Sequence, residues 1–459
     1  MSAQIKISIN SAELQCEPLL CLTPKSAFPD FPLKMCRQIV GQPVSRFADD
    51  IRPIGASSQS PSDATTHTLH YGNIIDAEDR VVDEVLLAVM RTPRTFTRED
   101  TVEITCHGGM VASQAVLQTV LAAGARSALP GEFTRRAFVN GRIDLTQAEA
   151  VSDVIHARTD LALAAANEQL AGKLSQRIGQ LRDDLMNVLA HLEAHIDFPD
   201  EDIAPDTQAQ LIGRLESALD FIDQLLATAN EGRILRRGIR AAIIGRPNAG
   251  KSSLLNQLLG HDRAIVTPTA GTTRDTIEET ANIRGIPVVF IDTAGLREAA
   301  DAIEAEGIRR SHDSMASAEL ILHVLDATEP LTDEDQAYLD QFANRQRLII
   351  ANKIDQPNAN AIGVDCLQTS ATEGTGIEAL KDAIRTAVWS GEIRADMLPA
   401  MINARHQDAL RRARAGLADS LAGLRTEATL ELIAMDLRIA TNAIGEVVGQ
   451  TATEDRQRY

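Results

Sequence analysis

Apolar residues step by four and three along the middle of the chain. Leu174, Ile178, Leu181, Leu185, Val188, Leu192 and Ile196 fall on one face of a predicted helix. The segment FPDEDIAPD interrupts that period. Leu211, Leu215, Leu219, Ile222 and Leu226 then predict a second amphipathic helix. The same period returns near the C-terminal end, through Leu410, Leu417, Leu421, Leu424, Leu430, Ile433 and Leu437. Between these stretches the texture differs. IRAAIIG, IPVVFID, ELILHVLDA and RLIIANKID are short, near-continuous apolar runs, separated by helix-like segments such as KSSLLNQLL. Such runs predict parallel strands covered on both faces. The simplest architecture joins the last helical stretch to the first two, so that the α/β unit is an insertion within one bundle.

Upstream the pattern is of a third kind. HYGNIIDAEDRVVDEVLLAVM reads as strand, turn and strand, with Asp79 near the turn, and TVEITC as a further strand. HGGMVASQAVLQTVLAAG reads as a glycine turn that opens a helix. Residues 1–66 mix short apolar runs with Pro, Ser and Asp and show little sustained period. The expected organisation is multidomain, α+β and α/β. An N-terminal α+β domain occupies 1–144, of which 1–66 is atypical. A helical bundle is built from 145–235 and 398–459. A P-loop G domain with a Ras-like parallel sheet is inserted at 236–397.

Composition narrows the function. Hydrophobic residues make up 44% of the 459, charged residues 24% and aromatics 3%. A core so poor in aromatics has to be built from Leu, Ile, Val and Ala, which points to helices and α/β layers. A formal charge of −19 does not advertise nucleic-acid binding, so any RNA contact must use local basic patches. Two arginine clusters stand out, Arg135, Arg136 and Arg142, and Arg233, Arg236, Arg237 and Arg240. The five cysteines, Cys16, Cys21, Cys36, Cys106 and Cys366, form no C-x-x-C pair, which disfavours a disulfide framework or a zinc site. No signal-like start and no long apolar run is present, so the expected location is the cytoplasm and no membrane partner is expected.

The chemistry is concentrated in the α/β unit. GRPNAGKS at 245–252 fits G-x-x-x-x-G-K-[ST], after an apolar strand and before a helix. There, backbone N–H groups and a helix N-terminus cradle phosphates; Lys251 reaches the β- and γ-phosphates and Ser252 holds Mg²⁺. Thr272 and Thr273 lie in a polar loop where a threonine hydroxyl can complete Mg²⁺ coordination. Asp292, Thr293, Ala294 and Gly295 end a strand, with the Asp placed for Mg²⁺ and the Gly N–H for the γ-phosphate. Asn352, Lys353, Ile354 and Asp355 end another. Asp355 can accept two hydrogen bonds from guanine, which adenine cannot supply, and Ser370 and Ala371 close the base pocket. Four such elements in order indicate GTP or GDP. Leu296 stands where Ras-like proteins carry the water-orienting Gln. Glu298, Asp301, Glu304 and Glu306, just downstream, are the acidic candidates for that task.

PNAGKSSLLN, GTTRD and DTAGLRE, together with YGNIID, DEVLLAVMRTPRTFTREDTVEITCHGG and LPGEFTRRAFVNGRIDLTQAEAVSDVI, resemble the MnmE (TrmE) family of tRNA modification GTPases. The resemblance runs from about His70 to Glu454. It implies an N-terminal folate-binding domain that dimerises, and a homodimer that joins the flavin enzyme MnmG in a heterotetramer. That pair modifies C5 of the wobble uridine of tRNA, with a one-carbon unit from a tetrahydrofolate derivative. It also implies G domains that pair across K⁺ when GTP is bound. By this resemblance Asn248 is the side-chain K⁺ ligand, and Thr267, Thr269 and Thr272 lend it oxygens. Ser252 and Thr273 match the Mg²⁺ ligands. The implied GTP contacts add Ala249, Gly250 and Ser253 to the motif residues above. Lys251 is catalytic, as is Glu304, which positions water in place of the missing Gln. Glu103 and Arg142 match folate contacts. The turn at His107, Gly108 and Gly109 is taken as structural.

Two departures qualify the resemblance. The glycine-rich, arginine-bearing opening of the family has no counterpart in 1–66 beyond LTPKSAF at 22–28. TATED is followed by RQRY where the family has a tail with a Cys and a terminal Lys. Both are read as altered reading frames or truncation; the expected function is K⁺-dependent GTP hydrolysis and, with MnmG, a part in wobble-uridine modification, which the altered ends are expected to reduce. The alternatives are a ribosome-assembly-type GTPase switch and a truncated copy with GTPase activity only.

Overall fold

The computed structural model describes residues 64–197, 208–260, 279–291, 317–359, 363–389, 402–426 and 428–450, and the backbone of three strands before them. By contacts the chain divides into two units, Met1–Ala148 and Glu149–Arg458.

The first unit is a seven-stranded sheet in the order β3-β4-β5-β6-β1-β2-β7. Its strands are β1 (Gln4–Asn10), β2 (Leu19–Cys21), β3 (Ile51–Pro53), β4 (Thr68–Ile75), β5 (Val81–Met90), β6 (Thr101–His107) and β7 (Arg126–Ser127). β4 and β5 form the expected antiparallel pair. Between them Asp76 accepts the backbone N–H groups of Glu78 and Arg80, and Asp79 takes a left-handed φ of 62°. Alternation places Val85, Leu87 and Val89 on one face of β5. They pack with Val102, Ile104 and Cys106 of β6 under Val116 and Val120 of helix α1 (Met110–Ala122). The absence of a pattern in 1–66 was misleading. β1 pairs with β6 in parallel, and β3 extends the β4 edge. Three-residue strands are too short to show a period of two, so alternation could not reveal β2 or β3. Helices α2 (Glu132–Val139) and α3 (Leu145–His156) follow.

The second unit holds the bundle. Helices α5 (Lys173–Asp197), α6 (Gln208–Ala227), α11 (Ala404–Arg425) and α12 (Leu430–Val448) enclose one apolar core. Leu174, Ile178, Leu181, Leu185, Val188 and Leu192 are all buried in it, with Ile196 partly so. Small residues let α11 and α12 approach closely. A Cβ on Gly416 would lie 2.8 Å from the Asp436 carbonyl oxygen and 3.3 Å from Ala440 Cβ. Glu149 of α3 ties the bundle to the start of α11. Its carboxylate accepts Asn403 Nδ2 at 2.6 Å and Arg405 Nε at 2.6 Å, and lies 2.9 Å from Nε2 of the fully buried His406. Burial pushes the His406 imidazole down, despite Glu149. Its Nδ1 accepts the Asn403 N–H, so the ring is neutral with its proton on Nε2, facing the carboxylate. Burial alone would raise the Glu149 pKa; His406 and Arg405 outweigh it and hold the carboxyl well below the usual range.

Between α7 (Ala229–Arg237) and α11 stands the inserted unit, a six-stranded sheet in the order β13-β12-β11-β8-β10-β9. The strands are β8 (Ile239–Ile244), β9 (Glu279–Ile283), β10 (Ile286–Phe290), β11 (Leu320–Asp326), β12 (Arg347–Asn352) and β13 (Leu367–Gln368). With α8 (Lys251–Leu259), α9 (Asp333–Gln341) and α10 (Ile377–Val388) they form the α/β layers. The four strands read from the sequence, β8, β10, β11 and β12, pair in parallel as expected, and one further strand makes the sheet mixed. β9 runs antiparallel to β10. Arg284 and Gly285, at φ 54° and 88°, form the two-residue turn whose twist suits a hairpin. Helix α4 (Asp160–Leu170) supports that hairpin: Arg158, just before it, donates to Thr280 Oγ1 at 2.8 Å, and Leu161 packs at Gly285. The entry and exit of the insertion lie side by side, since a Cβ on Gly232 would meet the Ile402 carbonyl at 2.6 Å. No helix among the described residues is long and apolar enough to cross a membrane.

Two glycines in the bundle make opposite predictions. Alanine is the better helix former by ~1 kcal/mol, and nothing lies within 4 Å of a Cβ on Gly179 of α5, so Gly179→Ala raises the unfolding midpoint. Gly416→Ala forces a backbone shift in α12, which costs about 1–3 kcal/mol, so it lowers the midpoint. Urea unfolding followed by far-UV circular dichroism checks both; a Gly416→Ala protein as stable as the parent contradicts the tight helix crossing.

Candidate functional site

The chain turns at the end of β8, where Gly245 takes φ 139° with its Cα pressed against the Val324 carbonyl of β11; a Cβ there would lie 2.2 Å from that oxygen. Pro247 and Asn248 form the exposed apex, with Asn248 left-handed at φ 66°. Ala249 is buried, and Gly250, at φ 93°, leads into α8. Lys251 opens that helix and folds back, its Nζ donating to the carbonyls of Gly245 and Arg246 at 2.7 Å each. Burial lowers the pKa of its ammonium. Ser252 and Ser253 are exposed on the first turn. The N-terminus of α8, with the turn that leads into it, makes an anion-binding end.

A second loop meets the first through one side chain. Asn352, the last residue of β12, is 2% exposed. Its Nδ2 donates to the Ala249 carbonyl at 2.9 Å, and its Oδ1 accepts the Ala371 N–H at 3.0 Å. Gly250 has to be glycine beside it, because a Cβ would lie 2.1 Å from that Nδ2. Lys353 is left-handed at φ 68° and ion-pairs with Asp326 at the end of β11, 2.6 Å away. Burial opposes ionisation of Asp326, but Lys353 and the Thr328 hydroxyl and N–H outweigh it and keep the carboxyl below its ordinary range. The Ser370 hydroxyl does the same for Asp355, with a smaller contribution from Gln356. Ser370 is fully buried; its N–H donates to the Thr375 carbonyl and its carbonyl accepts the Gly374 N–H, which fixes the loop.

The sequence-predicted residues Asn248, Ala249, Gly250, Lys251, Ser252, Ser253, Asn352, Lys353, Asp355, Ser370 and Ala371 therefore lie on two loops joined by Asn352. Thr267, Thr269, Thr272, Thr273, Asp292, Thr293, Ala294, Gly295 and Glu304 lie outside the described residues, as do Leu296, Glu298, Asp301 and Glu306. Glu103 is half-buried on β6, in register with Ala88. Arg142 is exposed beyond α2. Among the described residues no hydrogen bond or ion pair joins the two. His107 donates its backbone N–H to Asp83 and lies with its ring 2.8 Å from the same carboxylate, a structural contact. Members of both arginine clusters have partners within the chain. Arg136 bonds Glu99 and Glu132, Arg236 bonds Asp153 and Gln169, and Arg233 bonds Glu319. Asp326 was not legible beforehand, because its partner Lys353 follows the next strand and no short motif joins them.

A phosphate-type loop and a base-type loop, joined at the C-terminal ends of β8 and β12, define a nucleotide-binding G domain. The comparisons narrow this class. The family model "MnmE helical domain" matches residues 145–456, and "GTP-binding protein TrmE N-terminus" matches 39–142, beginning well before His70. The chain is 46% identical over 408 residues to the tRNA modification GTPase MnmE of Geobacillus kaustophilus, covering 87% of this chain and 88% of that protein. It is 45% identical over 400 residues to the Geobacter metallireducens protein of the same name, with 86% and 88% covered. The chain belongs to the MnmE family of tRNA modification GTPases.

Asn352→Ala strands the buried Ala249 carbonyl and Ala371 N–H, at about 1–3 kcal/mol per group. Guanine nucleotide affinity is expected to fall at least about tenfold, together with the melting temperature. Calorimetric titration with GDP checks this; unchanged affinity removes Asn352 from its place as the link between the loops.

Proposed function

We propose that this chain hydrolyses GTP in a K⁺-dependent way and acts with MnmG on the wobble uridine of tRNA. The observation that carries the nucleotide part is the joint at Asn352. It holds the phosphate-type turn and the loop that carries Ser370 and Ala371 in one frame. In this assignment Asp355 accepts the guanine N–H groups, and Ser370 and Ala371 close over the base. The backbone N–H groups of 248–253 and Lys251 bind the phosphates. Neutralising phosphate charge with preorganised groups is the main catalytic lever in phosphoryl transfer.

The exposed positions of Asn248 and Ser252 on the open side of the turn suit oxygen ligands for cations. Ser252 with Thr273 would hold Mg²⁺, and Asn248 with Thr267, Thr269 and Thr272 would hold K⁺. When bound, the two ions supply positive charge against the phosphates. Glu304 is assigned the orientation of water, and Asp292, Thr293, Ala294 and Gly295 the γ-phosphate side. Support for MnmG, tRNA, the homodimer and the cytoplasm comes from membership of the family, as does the folate assignment of Glu103 and Arg142.

Asp355→Asn is expected to weaken GTP binding and to favour xanthosine nucleotides, whose ring carries an oxygen where guanine has an amino group. Competition binding with GTP and XTP tests guanine recognition, and unchanged GTP preference removes Asp355 from it. Exchange of K⁺ for Na⁺ is expected to slow turnover strongly while GTP affinity holds. The comparable charge of an arginine finger is worth ~10³–10⁵ in rate. Equal turnover in both salts, measured by phosphate release, rejects the K⁺ assignment.

A further inference from the structure

The phosphate-type turn is pinned at three places. Gly245 is pinned by its backbone against β11, and Ala249 and Gly250 by Asn352. The third pin is the side chain of Arg246, which points out of the loop toward α9. Its Nε lies 2.9–3.0 Å from both carboxylate oxygens of Asp335, and its Nη1 donates to Glu329 at 3.0 Å. The two acids differ in weight. The Glu329 side chain is 57% exposed, so solvent screens that pair, whereas the Asp335 side chain is 2% exposed. Asp335 is itself immobile. It is the third residue of α9 and closes a capping box with Thr332, whose hydroxyl and N–H both donate to its Oδ2.

The backbone of Arg246 is where this matters. Its carbonyl accepts Lys251 Nζ at 2.7 Å and the Ala249 N–H at 3.3 Å. A peptide free to rotate would carry that acceptor away from Lys251 and re-aim the N–H groups of the turn. The same connecting segment also holds the base side, because Asp326 pairs with Lys353 and its carbonyl accepts the Glu329 N–H.

We propose that Arg246 and Asp335 are positioning residues: the buried carboxylate of Asp335, through the Arg246 guanidinium, sets the aim of the phosphate-binding turn and so the affinity for the nucleotide. This rests on the nucleotide-binding role assigned to that turn. The segment from β11 to α9 thereby becomes a bracket shared by the phosphate loop and by Lys353.

The test measures GDP dissociation constants and GTP turnover for the full chain and for R246M, D335N, the double variant and G416A. R246M and D335N are each expected to weaken GDP binding about tenfold. The double variant is expected to be no worse than the weaker single one, because the two act as one unit. G416A disturbs the helix crossing of the bundle and leaves Thr332, Asp335 and Arg246 as they are, so it is expected to lower the melting temperature without moving the GDP constant. R246M with parental GDP affinity overturns the proposal. So does a loss of affinity that follows melting temperature across all four variants, G416A included, since that is the mark of a purely structural role. A parent chain that binds no guanine nucleotide overturns the functional assignment itself, an outcome read before any variant is compared.

Discussion

The nucleotide site depends on a single amide side chain. A carboxamide carries a donor and an acceptor on one planar group, and Asn352 uses both at once, toward Ala249 on one loop and Ala371 on the other. Its donor and acceptor are separate atoms on one plane, unlike the single oxygen of Ser or Thr. Its partners are buried backbone groups, for which no water substitutes, so the geometry between the loops is set by covalent bond lengths rather than by flexible contacts. Gly250 follows from it: the amide occupies the space where a Cβ would stand. The positions of Lys353 and Ser370 follow in turn, one immediately after Asn352 and the other next to Ala371.

Charge is handled in the same economical way. The chain is strongly acidic, and several arginines among the described residues pair with acids of the same chain. Arg405 shows the pattern, bonding Glu149 and also the carbonyls of Glu446 and Val447 at the end of α12. One guanidinium thus closes a helix terminus and fastens α3 to α11. The neutral imidazole of His406 completes the set without adding a second buried charge. Such a knot depends on geometry more than on net charge, since a carboxylate with several fixed donors is stabilised where burial alone would disfavour it.

Long elements were legible in the sequence, and short or cooperative ones were not. The stripe from Leu174 to Ile196 and the runs at β8, β10, β11 and β12 repeat their period often enough to be read. β9, ETANI, was hidden because Glu279, Thr280 and Asn282 break any apolar run, and the direction of this edge strand is decided by a two-residue turn, Arg284-Gly285. β1 does carry a period of two at Ile5, Ile7 and Ile9, but its partner β6 lies more than ninety positions away, so its place in the sheet was not legible. In the site, motif residues such as Lys251 and Asp355 could be named because phosphate and guanine chemistry demand those types at those spacings. Arg246 could not, since it stands at a position the motif leaves open and its partner Asp335 is far along the chain. Glu103 and Arg142 came from resemblance alone, and nothing local in either residue distinguishes it from an ordinary surface charge.

The contact between Gly232 and Ile402 bears on how this protein comes to be made. A ribosome delivers α5 and α6 early, but the two helices that complete their core, α11 and α12, emerge only after the whole insertion has been synthesised. Until then the apolar face along Leu174 to Leu192 lacks α12, its main native partner. The inserted unit has its own core and a largely local strand order, so it can fold first. Folding it also draws its two ends together, which brings the late helices to the early ones without a long search. The nascent chain is therefore most exposed to wrong partners during that interval, and a slowly folding insertion lengthens it. Lesions deep in the nucleotide-binding sheet should accordingly reveal themselves as poor yield of intact bundle, well before any defect in chemistry is felt.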